Sequence, residues 1–312
     1  MKALIIRPAA LGDTLMLMPA VSQLRASAKI TLVGRQPGIY FLRPYIDLCI
    51  DFEGPGWHSL FLDRMDDVHR MGNVHRLSIP KVDRIAAFLS DPDGVVSQNL
   101  KTHHPATPFQ LFPAFPPKGA KGHTAYYLAQ CLQTAGLPID PGESLEEAFR
   151  RPLLAWEDAS NARKTVVLHP GSGGRKKNHP PDFWLELIEA LRRGLSKERY
   201  HFILLLGPAE MEEQPFFRKN LIHNETEILC SPEKERLLPH LKEADIYIGH
   251  DSGITHLAAM LGTPTIALFK NSSAHQWGPL GPVVRVIKTE EKDPDLIFKV
   301  LNEGKKLLAS TS

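Results

Sequence analysis

The chain of 312 residues is too long for one comfortable hydrophobic core and fits two domains of roughly 150 residues each. Its apolar content of 43% and charged content of 23% are typical of an ordinary globular protein, and a formal net charge of +2 gives no reason to expect nucleic acid as a partner. Cys49, Cys131 and Cys230 form no CxxC pair, which argues against a disulfide framework or a zinc site and favours a reducing cytoplasm.

The opening residues lead straight into a short apolar run, without the long apolar stretch and small-residue cleavage site of a signal peptide. No segment of the sequence approaches the roughly 20 apolar residues that cross a bilayer. We therefore expect a cytoplasmic protein. A substrate held in the inner membrane would be reached through a peripheral contact at the membrane surface.

Short apolar runs alternate with helical periodicity at the start of the chain. Apolar runs at 3–6 and 30–33 flank a helical pattern at 14–27. This alternation predicts a parallel β-α-β unit.

The stretch from about 51 to 117 is less regular. Its weak patterns predict a helix at 82–89 and a strand at 95–96. A clear amphipathic helix follows at 123–135, and Gly136 is expected to close it as a C-cap.

The second half of the chain repeats the alternation with little interruption. Its predicted elements are the strands 165–168, 202–206, 227–229, 246–248 and 265–269 and the helices 182–193, 210–220, 232–243, 252–261 and 294–308. The pattern predicts an α/β protein with a doubly wound sheet. We place the boundary near 150–163, which gives domains at 1–155 and 156–312, with the last helix as a candidate to pack back on the first domain.

Ligands of open parallel sheets bind at the carboxyl ends of the strands, where loops and helix N-termini converge. Two such domains facing each other would place their strand-end loops on both sides of a central cleft. The candidate site residues are therefore those directly after strands, and three loops stand out, at 7–19, 169–179 and 249–256.

The first of these loops leads from a strand into a helix, and Asp13 lies near the predicted helix start. Aspartate is favoured there as a helix cap without any chemical role, so capping and catalysis are both open from position alone. Gly12 would let a ligand approach the backbone closely. The loop lacks GxGxxG, which argues against an NAD-binding domain.

The second loop reads His-Pro-Gly-Ser-Gly-Gly-Arg-Lys-Lys-Asn-His from residue 169. Its glycines free backbone N–H groups, Ser172 adds a hydroxyl, and residues 175–177 add positive charge. These are the components of a diphosphate cradle, although a solvated basic turn has the same composition. The P-loop pattern GxxxxGK[ST] is absent, which argues against a kinase or ATPase.

The third loop again joins a strand to a helix. Asp251 or Ser252 is expected to cap that helix, and the freed N–H groups, including that of Gly253, would form an anion site. His256, one turn into the helix, is either a phosphate donor or an ordinary core histidine. Its spacing from His250 does not suit one helical face and no third ligand stands out, so a zinc site is disfavoured.

The three loops resemble signatures of glycosyltransferase family 9, the bacterial heptosyltransferases. Ile-x-Arg-x-x-x-Leu-Gly-Asp-x-x-x-x-x-Pro runs through 5–19, His-Pro-Gly opens the second loop, and Asp-Ser-Gly-x-x-His at 251–256 resembles the most specific signature. Trp-Gly-Pro at 277–279 also fits, whereas Lys-Asn-Ser at 270–272 replaces the usual Gly-Pro-Thr. The resemblance implies the GT-B fold, in which two Rossmann-like domains face a central cleft.

The resemblance also implies the reaction and its residues. A sugar, heptose in the best-known members, would pass with inversion from a nucleotide diphosphate such as ADP-heptose to a lipopolysaccharide core or related saccharide, without metal or other cofactor. Asp13 matches the catalytic base, and Glu210 matches a glutamate that holds the ribose hydroxyls. The donor-binding candidates are Ser172, Gly173, Lys176, Lys177, Glu210, Asp251, Ser252, Gly253 and His256, with one of the two lysines on the diphosphate.

The first domain is the expected acceptor side. No acidic residue occurs between Asp93 and Asp140, and basic and aromatic side chains fill this stretch. This stretch is either a basic, apolar loop that binds an anionic lipid-linked glycan at the membrane surface or an irregular Pro-rich insertion packed on the domain. The acceptor-binding candidates are Arg7, Gly12, Lys101, Lys118 and Lys121.

Three alternatives are weighed against this interpretation. Asp-Pro-Asp at 91–93 and 293–295 mimics the metal-binding DxD of other transferases, but a turn or helix start explains each better. A nucleotide-sugar epimerase or hydrolase of the same fold would need no saccharide acceptor. A catalytically silent nucleotide-sugar or glycan binder would not need Asp13.

Overall fold

The computed structural model describes residues 1–62, 80–155, 164–195, 200–221, 226–290 and 293–310. The chain divides into two compact units, Met1–Glu147 and Ala148–Ser312, each built on its own parallel sheet. Of the expected boundary segment at 150–163, the part from 156 onward lies outside the described residues.

The first sheet has five parallel strands in the order β3-β2-β1-β4-β5. They are β1 (Lys2–Arg7), β2 (Lys29–Gly34), β3 (Leu48–Asp51), β4 (Arg84–Phe88) and β5 (Phe109–Phe112). The central strand β1 is buried from Ala3 onward, as expected of a parallel strand that lies between two neighbours in a sheet covered on both faces.

The helices of the first unit are Leu11–Leu15, Met18–Leu24, Gly38–Leu42, Val95–His103 and Thr124–Thr134, and the helix Pro141–Arg150 runs across its end at Glu147. The single helix predicted at 14–27 is therefore two. Pro19 lies in the first turn of the second one, where its missing N–H costs nothing, whereas in a continuous helix it would break a backbone bond. Gly136 follows Thr124–Thr134 with a φ of 84°, as expected of a residue just after a C-cap.

Two predictions in the middle of the first unit are wrong. The segment 82–89, predicted as a helix, contains β4, and the strand predicted at 95–96 is the start of the helix Val95–His103. Ile85 to Phe88 are buried in succession, as in a strand covered on both faces. A short continuous apolar run of this kind has no periodicity that separates strand from helix.

The second sheet has six parallel strands in the order β11-β10-β9-β6-β7-β8. They are β6 (Thr165–His169), β7 (His201–Leu206), β8 (Thr226–Cys230), β9 (Ile246–His250), β10 (Thr265–Phe269) and β11 (Val284–Lys288). In both sheets the strand order reverses beside the first strand, between β1 and β4 in the first sheet and between β6 and β9 in the second. At such a point the connections leave toward opposite faces, which opens a crevice at the carboxyl ends of the two strands.

The helices of the second unit are Pro181–Gly194, Gln214–Asn220, Lys234–Lys242, Gly253–Met260, Ala274–Trp277 and Leu296–Ser310. The last helix packs on the sheet of its own unit, since Leu296, Val300 and Leu307 share one buried cluster with β6 and β9. Among the described helices, none is long and apolar enough to cross a membrane. The predicted α/β class with two Rossmann-like, doubly wound domains is confirmed.

Candidate functional site

The loops after β6 and β9 meet at the reversal point of the second sheet. The ammonium nitrogen of Lys177, from the β6 loop, lies 2.7 Å from Oδ2 of Asp251, which directly follows β9. Nε2 of His256 lies 3.8 Å from the other oxygen of the same carboxylate. The carboxylate and the imidazole are almost fully buried, whereas Lys177 is 37% exposed and open to a ligand. The structure thus brings together three of the predicted donor-binding residues.

The helix Gly253–Met260 starts beside this carboxylate. Ser252 is its N-cap, and the serine hydroxyl accepts the backbone N–H of Thr255 at 3.3 Å. The first amides of a helix have no acceptor within the helix, so its N-terminus attracts anions. Ser252 and Gly253 therefore lie at a helix N-terminus, where the free backbone amides stabilise a negatively charged ligand.

The β6 loop is shaped by its own side chains. The Ser172 hydroxyl lies 2.6 Å from Oδ1 of Asn178 and 3.0 Å from the carbonyl of Gly174, and these contacts draw the two ends of the loop together. Gly173 is exposed, and a Cβ built on it would meet no atom within 4 Å. Its backbone is accordingly open to a ligand.

The two adjacent lysines differ in their surroundings. Lys177 faces Asp251, whereas the side chain of Lys176 is exposed and its carbonyl accepts from Nδ2 of Asn271 at 2.6 Å. The structure therefore favours Lys177 as the lysine that faces the third loop, a choice that the sequence leaves open.

Glu210 lies just beyond β7 and is 4% exposed. Its carboxylate accepts the backbone N–H of Gly207 at 2.9 Å and packs directly on Gly171 of the β6 loop, where an added Cβ would lie 2.0 Å from the carboxyl carbon. Burial raises the pKa of this carboxyl group. The absence of a side chain at Gly171 is thus what lets the glutamate reach the loop.

A cavity of about 570 Å³ adjoins the β6 loop. Its walls include Lys176, Asn178 and Glu213, together with Lys270 and Asn271, which follow β10. The last two belong to the segment that departs from the family pattern. The volume is in the range of small-molecule sites.

Two histidines beneath the loops are held neutral. Nδ1 of His250 lies 2.8 Å from the carbonyl oxygen of Pro170, and Nε2 of the same ring accepts the backbone N–H of His179 at 3.0 Å. Burial lowers its pKa to about 3, and burial likewise lowers the pKa of His169 to about 4. Since both ring nitrogens of His250 are engaged by backbone, this histidine is not a metal ligand here. From the sequence, His250 is considered only as a zinc ligand and is disfavoured in that role.

In the first unit, Arg7 supports the turn that carries Asp13. The guanidinium is 1% exposed; its Nε donates to the carbonyl of Asp13 at 3.2 Å and its Nη1 to the carbonyl of Ala114 at 2.7 Å. The ring of Phe88 lies beneath it at 5.3 Å. Burial lowers the pKa of Arg7 to about 10. Arg7 is therefore built into the domain rather than presented on its surface.

Asp13 and Gly12 lie in the first turn of the helix Leu11–Leu15 and are partly exposed. The cap position of this helix belongs to Ala10, so Asp13 is not its N-cap, although an acid in the first turn also suits the helix dipole.

The other acceptor-binding candidates lie on the surface of the first unit. Lys101 is exposed on the helix Val95–His103, and Lys118 and Lys121 are exposed in the segment after β5. The stretch between Asp93 and Asp140 is not a wholly irregular insertion, because it contains β5, which pairs in parallel with β4.

Both Asp-Pro-Asp motifs lie at helix starts. The carboxylate of Asp91 accepts the backbone N–H groups of Val96 and Ser97 at 2.8 and 2.9 Å. The carboxylate of Asp293 contacts the ammonium of Lys299, in the first turn of the last helix, at 2.8 Å. These contacts fit the helix-start interpretation.

The sequence model of "Glycosyltransferase family 9 (heptosyltransferase)" matches residues 124–303, more than half of the chain. The chain belongs to glycosyltransferase family 9. The match covers every donor-binding candidate, whereas the Asp13 loop lies outside it.

Known members show how far the likeness extends. Lipopolysaccharide heptosyltransferase 1 of Campylobacter coli is 25% identical over 154 residues, which span 48% of this chain and 44% of that protein, less than half its length. The structure of E. coli ADP-heptose LPS heptosyltransferase II shares 19% identity with a TM-score of 0.69, covering 100% of this chain and 99% of that one. E. coli heptosyltransferase WaaC with ADP shares 16% identity with a TM-score of 0.66, covering all of both chains. These likenesses confirm the GT-B class of fold for this family 9 chain.

Proposed function

We propose that this family 9 protein is an inverting, metal-independent glycosyltransferase that moves heptose from ADP-heptose to a lipopolysaccharide core or related saccharide. One observation carries the proposal: a glycine-rich loop, a half-exposed lysine and a helix N-terminus converge at the carboxyl ends of β6 and β9. Each of these elements stabilises negative charge, and together they fit a diphosphate.

The donor diphosphate is held by the amides at Gly173, Ser252 and Gly253 and by the ammonium of Lys177. As the bond from the sugar to the diphosphate breaks, charge grows on the diphosphate oxygens, and these fixed donors stabilise it. They do for the leaving group what a divalent cation does in other transferases, which is the basis for the proposed metal independence. Asp251 orients Lys177, and His256 lies within reach of the same carboxylate.

Glu210 is proposed to hold the ribose of the donor. A carboxylate accepts hydrogen bonds from two vicinal hydroxyls at once, and its buried position beside the β6 loop fixes its geometry. The adjoining cavity, with Lys176 and Lys270 in its walls, is available to other parts of the donor.

Asp13 is proposed to act as the base. It takes the proton of the acceptor hydroxyl, whose oxygen attacks the anomeric carbon from the side opposite the departing diphosphate, so one displacement inverts the configuration. Gly12 leaves room for the acceptor beside the backbone, and Arg7 fixes the turn. Lys101, Lys118 and Lys121 are proposed to attract an anionic, lipid-linked acceptor from the surface.

The test is turnover of ADP-heptose with a truncated lipopolysaccharide core in EDTA, compared with UDP-sugars as donors. Asp13→Asn is expected to lower kcat by about 10²- to 10⁴-fold, while Asp93→Asn, an exposed carboxylate of the same domain, leaves it unchanged.

The same assay separates the alternatives. Release of ADP at equal rates with and without acceptor would indicate an epimerase or hydrolase. Binding of ADP without any turnover would indicate a silent binder. Equal turnover by wild type and Asp13→Asn would remove the base from the proposal.

A further inference from the structure

The ring of His250 bridges the two ends of the β6 loop. Its Nδ1 lies 2.8 Å from the carbonyl of Pro170, the first residue after β6. Its Nε2 accepts the backbone N–H of His179, two residues before the helix Pro181–Gly194, at 3.0 Å. One side chain, at the end of β9, thus closes the loop that carries Ser172 and Lys177.

The ring is itself rigidly held. His250 is 0% exposed, and the edge-to-face contact with Trp184 places the two ring centroids 5.1 Å apart. The ring of His179 stacks on it at 5.4 Å, and Nε2 of that second ring lies 3.0 Å from the hydroxyl of Thr289. A side chain that is fixed by contacts outside the loop can determine the position of the loop residues that it bonds.

The main chain of His250 makes a second connection. Its carbonyl accepts the hydroxyl of Thr255, which stands in the first turn of the helix Gly253–Met260. The Thr255 hydroxyl also lies 3.1 Å from the hydroxyl of Ser252, the N-cap residue of this helix. The residue therefore contacts both loops that flank the Lys177–Asp251 pair.

We propose that His250 is a positioning residue that holds the β6 loop and the N-terminus of the helix Gly253–Met260 in register for a diphosphate. It would not touch the ligand and would act through the backbone at Pro170 and His179. The inference rests on the proposed function for the identity of the ligand but not for the closure of the loop. Without the bridge, the binding of a diphosphate must also order the loop, and that entropy weakens affinity.

Burial keeps the ring in the form that the bridge requires. The pKa of His250 is lowered to about 3 by burial first and then by the neighbouring His179, His169 and Lys270. The neutral ring donates from Nδ1 and accepts at Nε2, as the two backbone partners demand.

Three substitutions separate the two halves of the bridge. His250→Phe keeps the aromatic packing and removes both hydrogen bonds. His250→Asn places an amide donor near the position of Nδ1, and His250→Gln places an acceptor near that of Nε2, so each retains one half. The readouts are hydrogen–deuterium exchange at the amides of 177–179, which are hydrogen-bonded in the structure, and the Kd for ADP by calorimetry.

For His250→Phe we expect exchange at 177–179 to rise by at least about tenfold and the Kd for ADP to rise about tenfold, with the strands of the sheet unchanged. The Asn and Gln variants should fall between it and wild type. Thr263→Val is the control, because it removes a buried hydrogen bond of 2.7 Å to Leu241 at the opposite end of the sheet. It should leave exchange at 177–179 and the Kd as in wild type.

The proposal is overturned if the loop amides of His250→Phe exchange as in wild type, or if exchange rises alike across the whole domain as a general loss of stability. Equal loss in all three variants would overturn it as well, because the one hydrogen bond that the Asn and Gln variants each retain would then contribute nothing. Should His250→Phe fail to fold, the Asn and Gln variants decide by the same readouts. If wild type binds no ADP, the proposed function fails, and exchange alone decides the role of His250.

Discussion

Replacing Gly171 by alanine is expected to displace Glu210 and thereby the proposed ribose contact. The new Cβ would lie 2.0 Å from the carboxyl carbon and 2.2 and 2.3 Å from the two carboxylate oxygens. Carbon atoms in contact stand about 3.5 Å apart, so the carboxyl group must move by about 1.5 Å. A shift of that size breaks its 2.9 Å hydrogen bond from the N–H of Gly207.

The cost follows from the burial of the group. Leaving the buried carboxylate without this donor costs about 1–3 kcal/mol. In a domain of this size, each kcal/mol lowers Tm by about 2–4 °C, so Gly171→Ala should melt about 2–12 °C below wild type. If Glu210 also binds the ribose, the loss of a charge-assisted contact should weaken ADP binding by about 10- to 100-fold.

Thermal unfolding and calorimetry with ADP measure the two effects separately. Gly174→Ala is the matched control for stability, because a Cβ there would meet only the Cγ of Lys177, at an ordinary 3.9 Å. It should melt with wild type. The reasoning is refuted if Gly171→Ala melts and binds ADP as wild type does. Equal destabilisation of both variants would point to loop flexibility in general and not to Glu210.

Three further measurements test the site and its supports. Lys177→Ala should weaken ADP binding by about 10- to 100-fold in calorimetry, whereas Lys176→Ala, at an exposed side chain, should change it less than about threefold; equal effects would contradict the assignment. Arg7→Met removes two hydrogen bonds to backbone carbonyls beside the proposed base, so turnover should fall more than donor affinity, and steady-state kinetics would expose the opposite outcome. His169 and His250 stay neutral in the folded protein, because their pKa values are lowered to about 4 and about 3. The unfolded chain binds these protons near pH 6.5, so the free energy of unfolding of the second domain should fall as the pH drops from about 6.5 towards 4. A constant free energy of unfolding in urea titrations over this pH range would contradict the burial of the two histidines.

The sequence predicts the second domain better than the first for a physical reason. Its strands β6, β7, β9 and β10 have strong apolar runs, and the loops between them carry glycine, proline and polar residues that mark clear ends. β4 was predicted as a helix, and the strands for which nothing was predicted are β3, β5 and β11, all three at sheet edges. Their residues are mostly half-exposed and mix polar with apolar types, so the alternation and continuity that signal a strand are weak.

The chemical groups of the site were predictable, while their supports were not. A parallel sheet places its loops at one edge, so polar residues directly after strands are candidates from the sequence alone. The role of His250, in contrast, depends on Pro170, 80 residues away, and on His179, 71 residues away. Nothing in the local sequence separates a histidine that closes a loop from one that only fills the core.

The two domains place different side chains on one topology. Counted within each domain, both sheets run 3-2-1-4-5, and the second adds a sixth strand at its edge. In each, the candidate site follows the first strand, beside the reversal point: the Asp13 turn after β1 and the β6 loop. The difference lies in what those loops hold. After β1 a buried arginine fixes a turn that presents one carboxylate, and after β6 glycines and lysines are closed over a neutral histidine. Reversing the charge of the β6 loop with Lys177→Glu should therefore abolish ADP binding in calorimetry, because it places a second carboxylate beside Asp251, where the diphosphate is proposed to lie.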